Sequence, residues 1–319
     1  MDLANVNVEK ELQIIFMGTP LFAVPILEGL IENYRVRAVV TQPDRKGNHE
    51  KIVFSKIKEK AIENNIVVLQ PENIKEDYDE IVSLEPDLII TCAYGQIIPK
   101  ELLELPRLGC INVHASLLPK LRGGAPIHKA IIEGHKKTGI TIMYMNEKMD
   151  AGDIISQEEI EITDTDSASS LHDKLSILGR DLLLETLPSI INKTNGRIKQ
   201  NSSEATYAFT LKKEDEKIKF GDTKKQIYNQ IRGLNSFPGA YCMFEGKILK
   251  VYESRITDEY PMGFDGQITK IYNDGIGVKV SNGEIVLTKV QLEGKQKMNA
   301  SDFLNGIKNK EELIGKILS

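Results

Sequence analysis

Short apolar runs recur through roughly the first 190 residues, at 12–18, 36–41, 66–70, 87–93 and 109–116. They are rich in Val, Ile and Leu and nearly continuous instead of alternating. That is the pattern of strands buried on both faces of a parallel sheet. The segments between them at 21–33, 56–65 and 125–133 carry helical spacing, so the pattern predicts an α/β domain with a doubly wound, mostly parallel sheet of Rossmann-like type. Two later strands, 138–145 and 153–162, are joined by a turn-like stretch at 146–152. A helix from about 168 to 191 opens behind Asp166 and Ser167, both good caps. Residues 192–206 are polar, rich in Asn and Ser, and without period. Beyond a helix at 223–234, runs at 240–256 and 266–292 follow period two and are broken by Asn273-Asp274-Gly275 and Asn282-Gly283, which read as hairpin turns. The expected organisation is a catalytic domain over 1–191, a linker over 192–206 and a small C-terminal β-barrel or sandwich over 207–319, an OB-like barrel being one option.

Composition narrows the class. A chain of 319 residues with 41% hydrophobic and 27% charged residues fits two globular domains and not a disordered or fibrous protein. No apolar run approaches the roughly 20 residues that cross a bilayer, and the start lacks the basic-then-apolar order of a signal peptide. The expectation is a cytoplasmic protein with no membrane partner. Cys92, Cys110 and Cys242 lie far apart with no C-x-x-C pair, which favours buried packing over a disulfide or zinc framework. The net charge of −5 argues against indiscriminate nucleic-acid coating, yet residues 207–319 hold 18 Lys+Arg against 15 Asp+Glu. The basic part of the chain is its last third.

The first strand enters its helix through Met17-Gly18-Thr19-Pro20, where a dinucleotide fold carries its phosphate loop. The glycines of G-x-G-x-x-G are absent, so an NAD reading is set aside and Gly18 reads as a tight turn. The informative stretch runs from Asn112 to Ile127. Residues two apart on a strand share a face, so Asn112, His114 and Ser116 point together at the carboxyl edge of the sheet, where open α/β folds bind ligands. An amide that can donate to an oxyanion beside an imidazole that can move a proton suits acyl transfer. A strand-end cap or a satisfied core contact would use the same residues. Asp150, in Met149-Asp150-Ala151-Gly152-Asp153, would orient His114 and offset the charge it gains with a proton, or else serve as a turn-forming Asp bonded to its own backbone. Asp153 directly precedes a strand and is the weaker candidate. His49, His128, His135 and His172 show no metal-ligand spacing, and Cys110 forms no thiolate pair with His114.

The string N-x-H-x-S-L-L-P-x-x-R-G-x-x-P-I from Asn112, followed by M-D-x-G-D-I from Met149, resembles the folate-dependent formyltransferase family. The resemblance implies 10-formyltetrahydrofolate as formyl donor, no metal, Asn112 at the oxyanion, His114 in proton transfer and Asp150 setting the charge and orientation of the imidazole. It places the folate along Ser116, Leu117, Leu118 and Pro119, with Ala93, Tyr94, Gly95, Gln96 and Ile97 closing over the pterin. Met17-Gly18-Thr19-Pro20-x-Phe22-Ala23, Thr41-Gln42-Pro43-Asp44-Arg45, the tract from Ile231 to Tyr241 and Val290-Gln291-x-Glu293-Gly294-Lys295 are similar to the branch whose acceptor is initiator methionyl-tRNA. For that partner the implied phosphate contacts are Arg45, Lys46, Arg232, Lys247, Lys250, Lys295 and Lys297, on a monomer. The loop after Arg45 departs from the branch pattern, which is longer, more basic and closed by prolines. Three alternatives stay open: transfer to an amino-sugar nucleotide, hydrolysis of the donor, and a non-catalytic folate- or RNA-binding module.

Overall fold

In this computed structural model the described residues are 12–46 and 52–319. They divide into two compact units. The first runs to Pro126 and takes in Thr138–Ile160 and His172–Phe209; the second takes Ile127–Lys137, Glu161–Leu171 and Thr210–Ser319.

The first unit is built on seven strands: β1 Ile14–Gly18, β2 Val36–Val40, β5 Val67–Leu69, β6 Leu88–Cys92, β7 Cys110–His114, β8 Lys137–Tyr144 and β9 Ile154–Glu161, with the short pair β3 Arg45–Lys46 and β4 Ile52–Val53 apart from them. Their order is β5-β2-β1-β6-β7-β8-β9. Strands β5 to β7 run parallel, and β8 turns antiparallel against β7. β1 and β6 are buried at every position, as strands covered on both faces must be. The helix Val24–Asn33 accepts Pro25 in its first turn, where no intrahelical N–H is lost, and Ser55 caps Lys56–Glu63 by accepting from the Lys58 N–H at 3.0 Å. Gly18 is needed for a reason other than a turn: a Cβ there would stand 2.8 Å from the Phe16 ring and 3.0 Å from the Cys92 carbonyl, so the glycine lets β1 and β6 approach. Two five-residue helices, Asp79–Ser83 and Lys100–Glu104, were not foreseen from the pattern, because five residues show too little of a 3.6-residue period.

Residues 192–209 are ordered against this unit by backbone pairing. Ile198 exchanges two 2.8 Å bonds with Ile154, the Arg122 N–H donates to the Thr206 carbonyl at 2.9 Å, and the Ala208 N–H donates to the Arg122 carbonyl at 2.7 Å. Single bridges of this kind impose no hydrophobic period, which is why the segment reads as a linker in sequence.

The second unit carries an antiparallel sheet in the order β10-β11-β14-β13-β12, with β15 (Met298–Asn299) on β14. These strands are β10 Ala240–Phe244, β11 Lys247–Ile256, β12 Ile268–Ile271, β13 Ile276–Val280 and β14 Gly283–Leu292. Glu245 and Gly246, both with positive φ, make the two-residue turn between β10 and β11. The C-terminal residues close the ladder on itself. Met243 and Ser319 exchange backbone bonds on the β10 side, while Gly266 and Ile268 pair with Leu318, Lys316 and Gly315 on the β12 side. Closure removes the free edges and gives the expected small barrel. Its core gathers Ile227, Ile231, Leu249, Val251, Val278, Ile285 and Leu287, with Leu318 from the closing segment.

Candidate active site

At the carboxyl end of β7 the period-two expectation for Asn112 and His114 holds, and both meet Asp150. Thr91, the register partner of Asn112 on β6, donates its hydroxyl to Asn112 Oδ1 at 2.8 Å. That fixes the carboxamide, so its nitrogen faces Asp150 Oδ1 at 3.4 Å. One of the two amide hydrogens is left for another acceptor. His114 is buried, and its Nε2 lies 3.1 Å from the Leu121 carbonyl. A carbonyl can only accept, so Nε2 carries a hydrogen, and in the neutral ring that leaves Nδ1 as the basic nitrogen. Nδ1 stands 3.7 Å from Asp150 Oδ1.

Asp150 is held from three directions. Its Oδ2 accepts from the Gly123 backbone N–H at 2.8 Å, its backbone sits at φ 48° in the left-handed region, and its carbonyl accepts from Gln200 Nε2 at 2.9 Å. Asp tolerates that backbone region better than most residues. Gln200 Nε2 also donates to the Gly152 carbonyl at 2.8 Å, and Gln200 Oε1 accepts from Arg122 at 3.1 and 2.7 Å. Arg122 and Gln200 therefore brace the turn that presents the carboxylate. Sequence spacing singled out neither Gln200 nor the backbone groups of Leu121 and Gly123; the only signal was the R-G pair within the motif. A cavity of about 760 Å³ adjoins the turn, lined by Lys100, Arg122, Met145, Met149, Lys199 and Tyr207 among others, a size in the range of small-ligand sites.

The residues assigned to the folate fall into two groups. Tyr94 is buried, burial pushes its phenol up to about 12, and its hydroxyl has no hydrogen-bond partner among the described residues. The Tyr94 carbonyl accepts from Thr19 Oγ1 at 3.0 Å and Gln42 Nε2 at 3.1 Å, tying together three of the motif segments. Ala93 and Gly95 have positive φ, and Ile97 is 71% exposed. Tyr94 packs in the core with Ile15, Met17, Ile74 and Ile98, so the apolar surface this loop presents is Ile97. Gln96 is tied back to residues 71–74 through Ile74 N–H and the Pro71 carbonyl. Along Ser116–Pro119 the polar atoms are engaged internally: Ser116 Oγ donates to the Lys120 carbonyl, while the Leu118 N–H and carbonyl meet Thr141 and Gln157. That stretch offers Leu117 and Pro119, both half-buried, as apolar surface. Cys110 is buried and its thiol is driven far up by desolvation, so it is packing and not a nucleophile.

Among the basic residues, Arg45 is exposed, its strand pairing β3 to β4; Lys46 contributes backbone to that pair, and its side chain and residues 47–51 lie outside the described residues. In the second unit, Lys247 and Lys295 are exposed. Lys250 donates to the Pro238 carbonyl at 2.5 Å, and the Lys297 ammonium sits 3.6 Å over the Tyr252 ring. Burial first, then the charges of Lys289 and Lys250, hold Lys297 below its ordinary pKa, so those two lysines lie near Lys297. Arg232 is a correction to the expected phosphate contact. It is 8% exposed, and it donates to Asn229 Oδ1 at 3.0 Å and to the Thr163 and Asp166 carbonyls at 2.9 and 2.8 Å. Its guanidinium binds its own protein and is not presented to a polyanion.

Comparison with known proteins bears on this geometry. Residues 12–187 match the family described as Formyl transferase, and residues 210–308 match Formyl transferase, C-terminal domain. The chain is 49% identical over 300 residues to a methionyl-tRNA formyltransferase of Geobacillus sp. (strain WCH70), covering 92% of this chain and 94% of that one. It is 48% identical over 299 residues to the methionyl-tRNA formyltransferase of Bacillus subtilis (strain 168), with the same coverage. Among solved structures, WlaRD, a sugar 3N-formyl transferase crystallised in the presence of dTDP and 5-N-formyl-THF, superposes with TM-score 0.67 at 22% identity over 89% of this chain and 99% of that one. HypX from Aquifex aeolicus in complex with tetrahydrofolic acid superposes with TM-score 0.63 at 17% identity over 91% of this chain and 46% of that one. At such identities these two structures speak for the fold alone.

Proposed function

The chain belongs to the formyl transferase family, in its methionyl-tRNA formyltransferase branch, and from that premise we propose that it transfers the formyl group of 10-formyltetrahydrofolate to the α-amine of initiator methionyl-tRNA. The product is N-formylmethionyl-tRNA for translation initiation. The observation that carries the reading at residue level is the convergence of Asn112 Nδ2, His114 Nδ1 and Gly123 N–H on the single carboxylate of Asp150.

The donor supplies a formyl carbon whose leaving group is an arylamine nitrogen. The chain's own groups do the rest. The free amide hydrogen of Asn112 donates to the formyl oxygen as charge gathers there. The unprotonated Nδ1 of His114, selected by the Leu121 carbonyl on Nε2, takes the proton that the attacking amine releases. Asp150 offsets the imidazolium charge so formed, and the proton returns to the departing nitrogen as its bond to carbon breaks. A free α-amine has a pKa near 7.7–8.0, so a neutral fraction exists near pH 7 and a moderate base suffices. The loop from Ala93 to Ile97, with the exposed Ile97, holds the pterin side of the donor. The lysines of the second unit take phosphates of the tRNA. The reading places the protein in the cytoplasm, acting as a monomer. The test is to incubate the purified protein and donor with methionyl-tRNA, an amino-sugar nucleotide or no acceptor. Formylmethionyl-tRNA as the dominant product supports it; a formylated sugar or free formate in its place overturns it.

A further inference from the structure

The extended segment beside the catalytic loop carries two aromatic rings that hold nothing together. Tyr207 is 49% and Phe209 is 61% exposed, and their rings lie parallel within 5° with centroids 5.4 Å apart. Ala208 between them is fully buried; its N–H donates to the Arg122 carbonyl at 2.7 Å and its carbonyl accepts from the Ala125 N–H at 2.9 Å. The backbone is thus sewn down while positions i and i+2 face outward. The seam passes through Gly123, whose φ is 117° and whose Cβ, if present, would stand 2.8 Å from the Ala208 carbonyl. The same Gly123 donates its N–H to Asp150. The rings therefore stand one backbone away from the reacting centre. Tyr207 also lines the 760 Å³ cavity together with Lys148 and Lys199, exposed cations that make no side-chain bond among the described residues.

We propose that Tyr207 and Phe209 clamp the terminal nucleobase of the aminoacyl-tRNA, with Lys148 and Lys199 facing the phosphate before it. The inference rests on the formyl-transfer reading above and names how that acceptor is positioned. In an aminoacyl ester the terminal base is a few covalent bonds from the amine, so a base-binding platform belongs beside the Asp150 cradle. Unpaired RNA ends are recognised by stacking on aromatic side chains. The spacing is suited to it: positions i and i+2 of a strand repeat at roughly 6.6–6.8 Å, about twice the 3.4 Å between stacked bases. The rings now lean together at 5.4 Å, and standing upright they would admit one base.

The test replaces both rings in the full chain, as Tyr207→Leu with Phe209→Leu, which keeps apolar bulk and removes the π faces. Loss of a base stack should lower kcat/KM for methionyl-tRNA by about 5- to 150-fold, mainly through KM. Tyr207→Trp with Phe209→Tyr should restore it. A tRNA with 2-aminopurine as its 3′-terminal base should lose fluorescence on binding the wild-type protein and keep it with the double leucine variant, a change that a merely structural role would not produce. Turnover within twofold of wild type, or equal quenching by both proteins, overturns the clamp and leaves the formyl-transfer reading standing. Failure of the wild-type protein to formylate methionyl-tRNA overturns both.

Discussion

Replacing Gln200 with alanine removes four hydrogen bonds from beneath the Asp150 turn: two from Nε2 to the Asp150 and Gly152 carbonyls and two from Arg122 to Oε1. Neutral bonds of this kind contribute about 1 kcal/mol each and bonds from a charged donor about 1.5–3 each, a gross loss of roughly 6 kcal/mol. Arg122 and Gln200 both border the cavity, so water replaces much of the guanidinium's share and the net cost settles near 2–3 kcal/mol. For a unit of this size that is a fall in melting temperature of about 5–10 °C. The rate should suffer more. The turn keeps Asp150 at φ 48°, and once its carbonyl is released the carboxylate drifts from Asn112 and His114; a displacement of about 1 Å costs on the order of 10²-fold. Gln200→Glu separates the two halves of the brace. A carboxylate still accepts from Arg122, so the guanidinium's share of the stability returns, but it has no hydrogen for the two carbonyls, so the rate stays low. The measurements are a thermal melt and single-turnover formylation at saturating methionyl-tRNA. A Gln200→Glu protein as fast as wild type would refute the claim that these carbonyl bonds set the position of Asp150.

Four further outcomes are expected. Asn112→Ala should lower kcat by about 10²–10³ with KM for tRNA little changed; full turnover would remove Asn112 from the oxyanion. Gly123→Ala should both destabilise, by about 1–2 kcal/mol from its left-handed backbone alone, and slow the reaction, because its Cβ would push against the Ala208 carbonyl and shift the N–H that holds Asp150; a melt and rate like wild type would contradict the seam. Lys297→Gln should weaken tRNA binding and flatten its salt dependence by about one phosphate's worth, whereas Arg232→Gln should destabilise the second unit with no change in that slope, since its donors serve Thr163, Asp166 and Asn229. A titration of affinity against salt for the two variants decides between them. Removing residues 316–319 takes away the backbone that joins β10 to β12 and the buried Leu318, so the C-terminal unit should melt at lower temperature; an unchanged melt would show that the barrel closes without it.

What the sequence made legible follows from which interactions leave a trace in side-chain pattern. The core strands are legible because a parallel strand covered on both faces must be almost wholly apolar, as Ile14–Gly18 and Leu88–Cys92 are apart from Thr91. Asn112 and His114 are legible because a two-residue period on a strand is also a direction in space. Asp150 is legible from its own motif, but two groups that hold the site are not, because they are backbone: the Gly123 N–H on Asp150 and the Leu121 carbonyl on His114. Every residue carries such groups, so no composition or spacing marks the two that matter. Arg232 shows the converse error. A basic residue in a basic third of the chain suggests a surface charge, but Ile227 and Ile231 turn its helix inward and the carbonyls of Thr163 and Asp166, more than sixty residues earlier, take the guanidinium. Charge is visible in a sequence and the desolvation of that charge is not. The aromatic pair lies between these cases. Tyr207 and Phe209 do follow period two, but three residues are too few to set a strand apart from a linker. Only the bond from Ala208 to Arg122 shows that the rings are fixed beside the site.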